Sequence, residues 1–258
     1  MKSVFRTITV YILIFAVLSS LASCSIPSYE NSSTASGSQA SEVAGFITSA
    51  RKYDYKGGNV AVLNVENRSD KAYTITIKVY YKDSRGNNIA TATTTFDGFP
   101  AGYSNNFFFD PNGIFNSFTY DITAVEYKGK SNVGSIVIDN ARLTVGSLPQ
   151  STFSTLPNSS NIYNVTVMAS FEANNISNDR LLYYFECAVI TRKGEMYLLD
   201  NNRKNTRIDP LTKQNNQRLV VFTDTLWDDV STFEFPSELE GATVLVSIKS
   251  VETCPSYQ

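Results

Sequence analysis

Tyr73-Thr74-Ile75-Thr76-Ile77-Lys78-Val79-Tyr80-Tyr81 is the stretch that decides the fold. Tyr73, Ile75, Ile77, Val79 and Tyr81 alternate with Thr74, Thr76 and Lys78. A period of two sends one set of side chains into a core and leaves the other facing water, which is the signature of a half-buried strand. The run ends on the turn Arg85-Gly86-Asn87, and a second run, Tyr183, Phe185, Cys187 and Val189, ends in the same way on Lys193-Gly194.

Working outward, the pattern repeats. Ile47-Thr48-Ser49-Ala50-Arg51 is echoed by Ile138-Asp139-Asn140-Ala141-Arg142, and Asn59-Val60-Ala61-Val62-Leu63 by Asn164-Val165-Thr166-Val167-Met168. Ile122-Thr123-Ala124-Val125-Glu126 returns as Ile248-Lys249-Ser250-Val251-Glu252. Turn residues punctuate the runs at Gly57-Gly58, Phe99-Pro100-Ala101-Gly102 and Asp110-Pro111-Asn112-Gly113, and no long helical periodicity follows residue 44. The expected fold is all-β: two tandem β-sandwiches over 44–130 and 131–258, with six or seven strands each.

The order of Asn59-Val60-Ala61-Val62, the turn Glu66-Asn67-Arg68-Ser69-Asp70, the strand end Val79-Tyr80-Tyr81-Lys82-Asp83 and the later Phe99-Pro100-Ala101-Gly102 resembles the FxLYD-type and related immunoglobulin-like domains of bacterial surface lipoproteins. The resemblance covers roughly 44–129 and, less closely, 134–253; the name-giving Phe-x-Leu-Tyr-Asp is absent. It implies an Ig-like fold and an extracytoplasmic setting, and supplies no catalytic residue. Ordinary immunoglobulin domains pair two core cysteines near a tryptophan. The first copy has neither, and the second has Trp227 with only Cys187 in its strands.

The N-terminus reads as an address. Lys2 and Arg6 precede an apolar run from Ile8 to Leu18, too short to cross about 30 Å of hydrocarbon but suited to a secretory signal. Leu21-Ala22-Ser23-Cys24 resembles the bacterial lipobox. The resemblance implies a diacylglyceryl group on the Cys24 thiol, cleavage after Ser23 so that 1–23 is lost, and palmitate among the acyl chains. Two acyl chains hold a membrane stably where one does not. Ser25 is not Asp, which by the usual sorting pattern implies the outer membrane of a two-membrane cell, or else the outer face of a single membrane. Residues 24–43 read as lipid anchor and flexible linker: 25–42 hold seven serines in eighteen residues, with a coil reach of about 23 Å.

Composition narrows function. The 258 residues carry 22 Lys and Arg against 24 Asp and Glu, and no histidine. Losing Lys2 and Arg6 with the signal leaves about −4. The missing histidine removes Ser-His-Asp and Cys-His catalysis and His-ligated metals, and the near-neutral charge argues against nucleic acid. No phosphate loop, zinc pair or nucleophile elbow is present, so no cofactor is expected beyond the lipid on Cys24. Ser49-Ala50-Arg51-Lys52 matches Ser-x-x-Lys in letters, but on a strand residues three apart face opposite ways. Asp224, Asp228 and Asp229 around Trp227 lack the spacing of a calcium loop, so no metal is expected.

Three sets of side chains remain as candidates. Cys187 and Cys254 either form a disulfide, closing a loop of about 67 residues worth ~4 kcal/mol, or stay apart as a buried thiol and a free one. Arg203, Lys204, Arg207, Lys213 and Arg218 against Asp209 make a basic loop over Asn201–Arg218, which either grips an anionic wall polymer or headgroup or is a solvated face. Tyr80 and Tyr184, with Leu182, alternate outward and form either an aromatic platform for sugar or protein or a packing surface. The expectation is a non-catalytic binding and presentation lipoprotein of the cell envelope, with a membrane and a protein or glycan as partners. The second copy, which carries the insertions Ser147–Ser160 and Asn201–Arg218, would be the binder. The other reading is a structural or regulatory subunit of a transporter or wall enzyme, and an enzyme working through carboxylates alone finds no convergent pair.

Overall fold

Alternating burial predicts strands, and strands are what form. The computed structural model describes residues 38–39, 45–149, 162–199, 205–227 and 233–254, all within one compact unit. The signal segment, Cys24, the linker except Ser38–Gln39, Arg203, Lys204, Asp228 and Asp229 lie outside the described residues. The strands are β1 (Ser38–Gln39), β2 (Phe46–Tyr55), β3 (Gly58–Asn67), β4 (Tyr73–Lys82), β5 (Asn88–Phe99), β6 (Ser104–Phe109), β7 (Ser117–Glu126), β8 (Ile136–Pro149), β9 (Ile162–Asn175), β10 (Leu181–Ile190), β11 (Met196–Leu199), β12 (Asn205–Ile208), β13 (Lys213–Trp227) and β14 (Thr243–Thr253). The only helical turns among the described residues are the 3-10 turns Val133–Ser135 and Ser237–Leu239.

Among the described residues four small sheets result: β2-β3-β6, β1-β7-β4-β5, β8-β9-β13, and β10 flanked by β14 on one side and β11 and β12 on the other. Among the described residues every pairing between these strands is antiparallel except that of β1, which lies parallel to β7 with Ser38 beside Thr119; a single parallel bridge also joins Asp54 to Glu195. The C-terminal end of the expected linker therefore adds to a sheet edge. The first two sheets share one core, with Ala61, Leu63, Val65, Phe107 and Phe109 from one and Ile75, Ile77, Val79, Phe99, Phe118 and Ile122 from the other. The last two share a second core, where Val167, Ala169 and Phe171 meet Leu181, Tyr183, Phe185, Cys187 and Ile248. Phe171 and Phe185 meet edge to face, 4.8 Å between centroids.

The two halves repeat with an offset of 108 residues from Asn67 to Asn87. Gly86 (φ +84°) and Gly194 (φ +83°) close matching turns, donating to Asp83 O and Thr191 O; an L side chain at that φ would be strained. Asn67 and Asn175 are both fully buried. The Asn67 carboxamide donates to the carbonyls of Lys71, Phe99 and Pro100, and its oxygen accepts from Ser69 N and Ser69 Oγ. Asn175 donates to Asp179, Ile208 and Asp209 and accepts from Ser177 N and Ser177 Oγ. Each carboxamide thus ties the turn after β3 or β9 to the chain arriving from across the opposite sheet. The letters Asn-x-Ser also mark glycosylation acceptors, but these amides are consumed inside the fold.

The other echoes shift by small amounts. Arg51 stands opposite Val62 and Arg142 opposite Ser170, which match, but β8 carries a bulge at Asn140 and Ala141, with Asn140 at φ +52°, so Ile47 and Ile138 sit one place apart. Ile122 and Ile248 match, opposite Ile77 and Phe185, and a bulge between Tyr184 and Phe185 then displaces the residues after Ile248. Asn59–Leu63 against Asn164–Met168 is wrong by three residues: Leu63 corresponds to Phe171, because Val65 and Ala173 precede the matched asparagines by two. The expected loop Asn201–Arg218 is largely strand, since Asn205–Ile208 forms β12 and Lys213–Arg218 opens β13. Likewise Ser147–Pro149 extends β8, while 150–161 lie outside the described residues.

A third apolar cluster joins the halves. Val60, Val62 and Phe108, with Tyr53 and Tyr55, meet Ala188 and Met196, with Ile190, Leu198 and Leu245. The outward face of β2-β3-β6 therefore lies on the outward face of β10-β11-β14. Large side chains sealed this way contribute about 1.5–3 kcal/mol each as an upper figure. Beside the cluster, Asn105 donates to Ile248 O (2.8 Å) and accepts from Ile248 N (3.0 Å), so a side chain of β6 serves as pairing partner for an edge of β14. Lys130 pairs with Asp179, and Asn132 donates to Thr253 Oγ1.

Replacing Asn67 or Asn175 by Ala leaves three carbonyls and a serine corner without their partner, and is expected to cost about 3 kcal/mol in urea unfolding. Asn67→Asp should cost more, since a carboxylate cannot donate to three carbonyl oxygens. A loss below half a kcal/mol would show that the corner is decorative.

Candidate functional site

The outward face of β10 divides in two. Ala188 and Ile190 are covered by the first half, whereas Leu182 and Tyr184 stay half-buried beyond that cover. Leu182 stands opposite Arg207 of β12 and Glu252 of β14, and Tyr184 opposite Asn205 and Ser250. Residues directly opposite share a face, about 5 Å apart at Cβ. An aromatic ring, a leucine, a guanidinium and a carboxylate thus line one patch of one sheet. At its border, Lys249 Nζ lies 2.7 Å from Glu186 Oε2. Lys249 is the extra residue of the β14 bulge, and bulges commonly re-aim side chains beside a site. Chemically the patch offers stacking, a planar five-donor cation and one acceptor.

The structure therefore unites two candidates that are distant in sequence, Tyr184 and Arg207, and separates others. Tyr80 belongs to a different sheet, with Lys78 Nζ 5.0 Å from its ring centroid. By the 108-residue offset its counterpart is Ala188, not Tyr184. Lys213 is taken by Glu172 at 2.5 Å, and Asp209 by Arg180 at 2.6 Å. Lys213 and the Asn140 amide hold the Glu172 carboxyl below its ordinary range, and Glu172 in turn raises Lys213. Arg218 lies on β13 opposite Ser170. Arg207 and Lys213, the two basic candidates whose side chains are described, thus stand on different sheets and do not converge. Ser49 and Lys52 lie within β2, and no group of three or more Cys, Asp or Glu is placed to hold a metal among the described residues. Glu252 carries no signal in the sequence alone; its position opposite Leu182 appears only with the strand register.

Both described cysteines are free thiols. Cys187 stands opposite Val246, whereas Cys254 follows Thr253, opposite Leu181, and its backbone N–H donates to Arg180 O. With Lys249 bulged out, seven strand positions place them about 23 Å apart, far beyond the ~7 Å Cα limit of a disulfide. The bridging alternative does not fit this fold. Burial pushes the Cys187 thiol up to about 12, which keeps it protonated and unreactive at neutral pH. Burial also raises the hydroxyls of Tyr81, Tyr103 and Tyr183.

Iodoacetamide at pH 8 should therefore label half-exposed Cys254 in the folded protein and Cys187 only after denaturation, read by peptide mass spectrometry. Prompt labelling of native Cys187, or neither thiol labelling until reductant is added, would contradict the assignment. Compared with known proteins, the chain matches no family model and no curated protein, so its folded body is characterised by its own geometry alone.

Proposed function

We propose that the chain is a lipid-anchored extracytoplasmic binding module whose body is two Ig-like sandwiches, 44–130 and 131–258, held as one rigid piece. The observation that carries this reading is the patch of Leu182, Tyr184, Arg207 and Glu252. It is a mixed apolar and charged face left open on a sheet whose other end is already used for domain contact. Such composition suits a protein or glycan surface, where aromatic and arginine side chains supply most contact energy. The duplicated asparagine corner and the paired sheets around each core support the sandwich reading. The lipobox-like Leu21-Ala22-Ser23-Cys24 supports anchoring on the outer face of a membrane, with Ser25 directing outer-membrane placement where a second membrane exists.

Cells fed radiolabelled palmitate should label the wild-type chain and not Cys24→Ala, which should leave the membrane fraction. Label retained by Cys24→Ala would overturn the anchor. For the patch, Tyr184→Ala with Arg207→Ala should reduce recovery of the crosslinked envelope partner at least tenfold with an unchanged thermal midpoint. Undiminished recovery would move the binding surface elsewhere.

A further inference from the structure

Every sheet edge presents unpaired backbone N–H and C=O groups that will accept another strand, so folded proteins shorten, charge, bulge or cover their edges. Among the described residues, all edges but one are treated in this way. β2 carries Arg51, Lys52 and Asp54, and Asp54 bridges to Glu195. β7 receives β1, and β6 meets β14 through Asn105. β8 and β13 are bulged. On β10 the side away from β14 is paired by two short pieces, β11 and β12, of four residues each.

β5 is the exception. It corresponds to β11 and β12 together, yet runs unbroken for 12 residues. Irregular pairing with β4 is confined to its two ends, at Ile89 and at Asp97–Gly98. Between them Ala90-Thr91-Ala92-Thr93-Thr94-Thr95-Phe96 keeps a regular register and holds no charge, proline or glycine, the composition that favours strand-on-strand association. Thr91, Thr93 and Thr95 are exposed on the outer face, while Ala92 and Thr94 are half-buried on the inner one. Lys78, opposite Thr93, turns its ammonium onto the Tyr80 ring, 5.0 Å from the centroid. Outside the ladder with β4, no hydrogen bond among the described residues reaches the backbone of Ala90–Phe96. The arriving N-terminal segment does not fill this edge, because β1 joins the same sheet at its opposite side.

We propose that the free edge of β5 pairs with the same edge of a second copy of this chain, antiparallel across a twofold axis, joining two four-stranded sheets into one. Two features favour a second copy over another partner. Residues opposite one another in an antiparallel pair share a face, so the outward threonines of one molecule meet those of the other, and cross-strand threonine pairs are favourable. The run is also flanked by opposite charges, Arg85 in the turn before it and Asp97 after it. Antiparallel pairing sets the Arg85 end of each molecule beside the Asp97 end of the other. The contact is isologous, so it consumes both edges and closes at two copies. Seven residues a side fall short of the roughly 20–30 of a standard stable interface, so the dimer is weak and reversible.

Sedimentation velocity tests this on the full chain, kept in detergent so that the apolar N-terminal segment does not associate. The wild type should show a monomer–dimer equilibrium across a dilution series. Thr91→Glu, Thr93→Glu and Thr95→Glu together set like charges opposite each other and should weaken the dimer at least tenfold, with the strand signal in circular dichroism unchanged. Thr91→Lys, Thr93→Lys and Thr95→Lys should do the same. Mixing the two variants should restore pairing as 1:1 heterodimers, which general damage to the fold would not produce. Thr91→Glu with Thr93→Glu, and the matching lysine pair, serve if a triple set fails to fold. A wild type that stays monomeric at millimolar concentration or assembles beyond two copies would overturn the proposal. So would a folded glutamate variant that dimerises like the wild type, or a mixture of folded variants that stays monomeric.

Discussion

β3 is buried from both sides, and the arrangement of the molecule follows from that. Ala61, Leu63 and Val65 face the first core, while Val60 and Val62 face the second half together with Phe108. A strand with two apolar faces has no side to give to water, so the first half is complete only when another surface lies on it. That surface is the outward face of β10-β11-β14. Asn105 then closes part of the edge of β14 through its backbone at Ile248, which would otherwise stand as an unpaired donor and acceptor inside the contact. Apolar burial and backbone satisfaction thus point to the same docking geometry.

Much of this was legible in the sequence wherever one face of a strand is wet. The alternation from Tyr73 to Tyr81 gave the right faces for β4, and counting back from Gly86 and Gly194 gave the right match for β10. Both turns need a positive φ that glycine accepts, which fixes register independently of side-chain similarity. The comparison failed where alternation fails. Val60-Ala61-Val62-Leu63 and Val165-Thr166-Val167-Met168 lie on strands sealed on both sides, so likeness of letters could not set their register, and a slip of three exchanged their faces. Bulges at Asn140 and Lys249 added single-residue displacements that spacing alone does not reveal.

The candidate site was less legible, for a related reason. In the sequence Arg207 groups with its neighbours as part of a basic loop, because Asn205–Ile208 and the polar start of β13 lack a run of apolar residues. Ile208, fully enclosed and corresponding to Phe99, was the one apolar marker in that segment. Once β12 pairs with β10, Arg207 leaves that basic group and joins Leu182, Tyr184 and Glu252. Asn67 and Asn175 were hidden for the opposite reason. They read as turn residues, and their partners some thirty residues away, Phe99 and Ile208, appear only when the chain has folded. Tyr80 marks the same strand face as Ala188, between Thr91 and Thr119 where Ala188 has Leu198 and Leu245.

The central claim is that the two cores unfold as one body because a shared apolar joint couples them. Differential scanning calorimetry on the full chain tests it most directly. One transition is predicted, with equal calorimetric and van't Hoff enthalpies, splitting into two when Val62→Asp places a charge in the joint. Two separate transitions in the wild type, or a Val62→Asp chain that still melts in one step at the wild-type midpoint, would contradict the account.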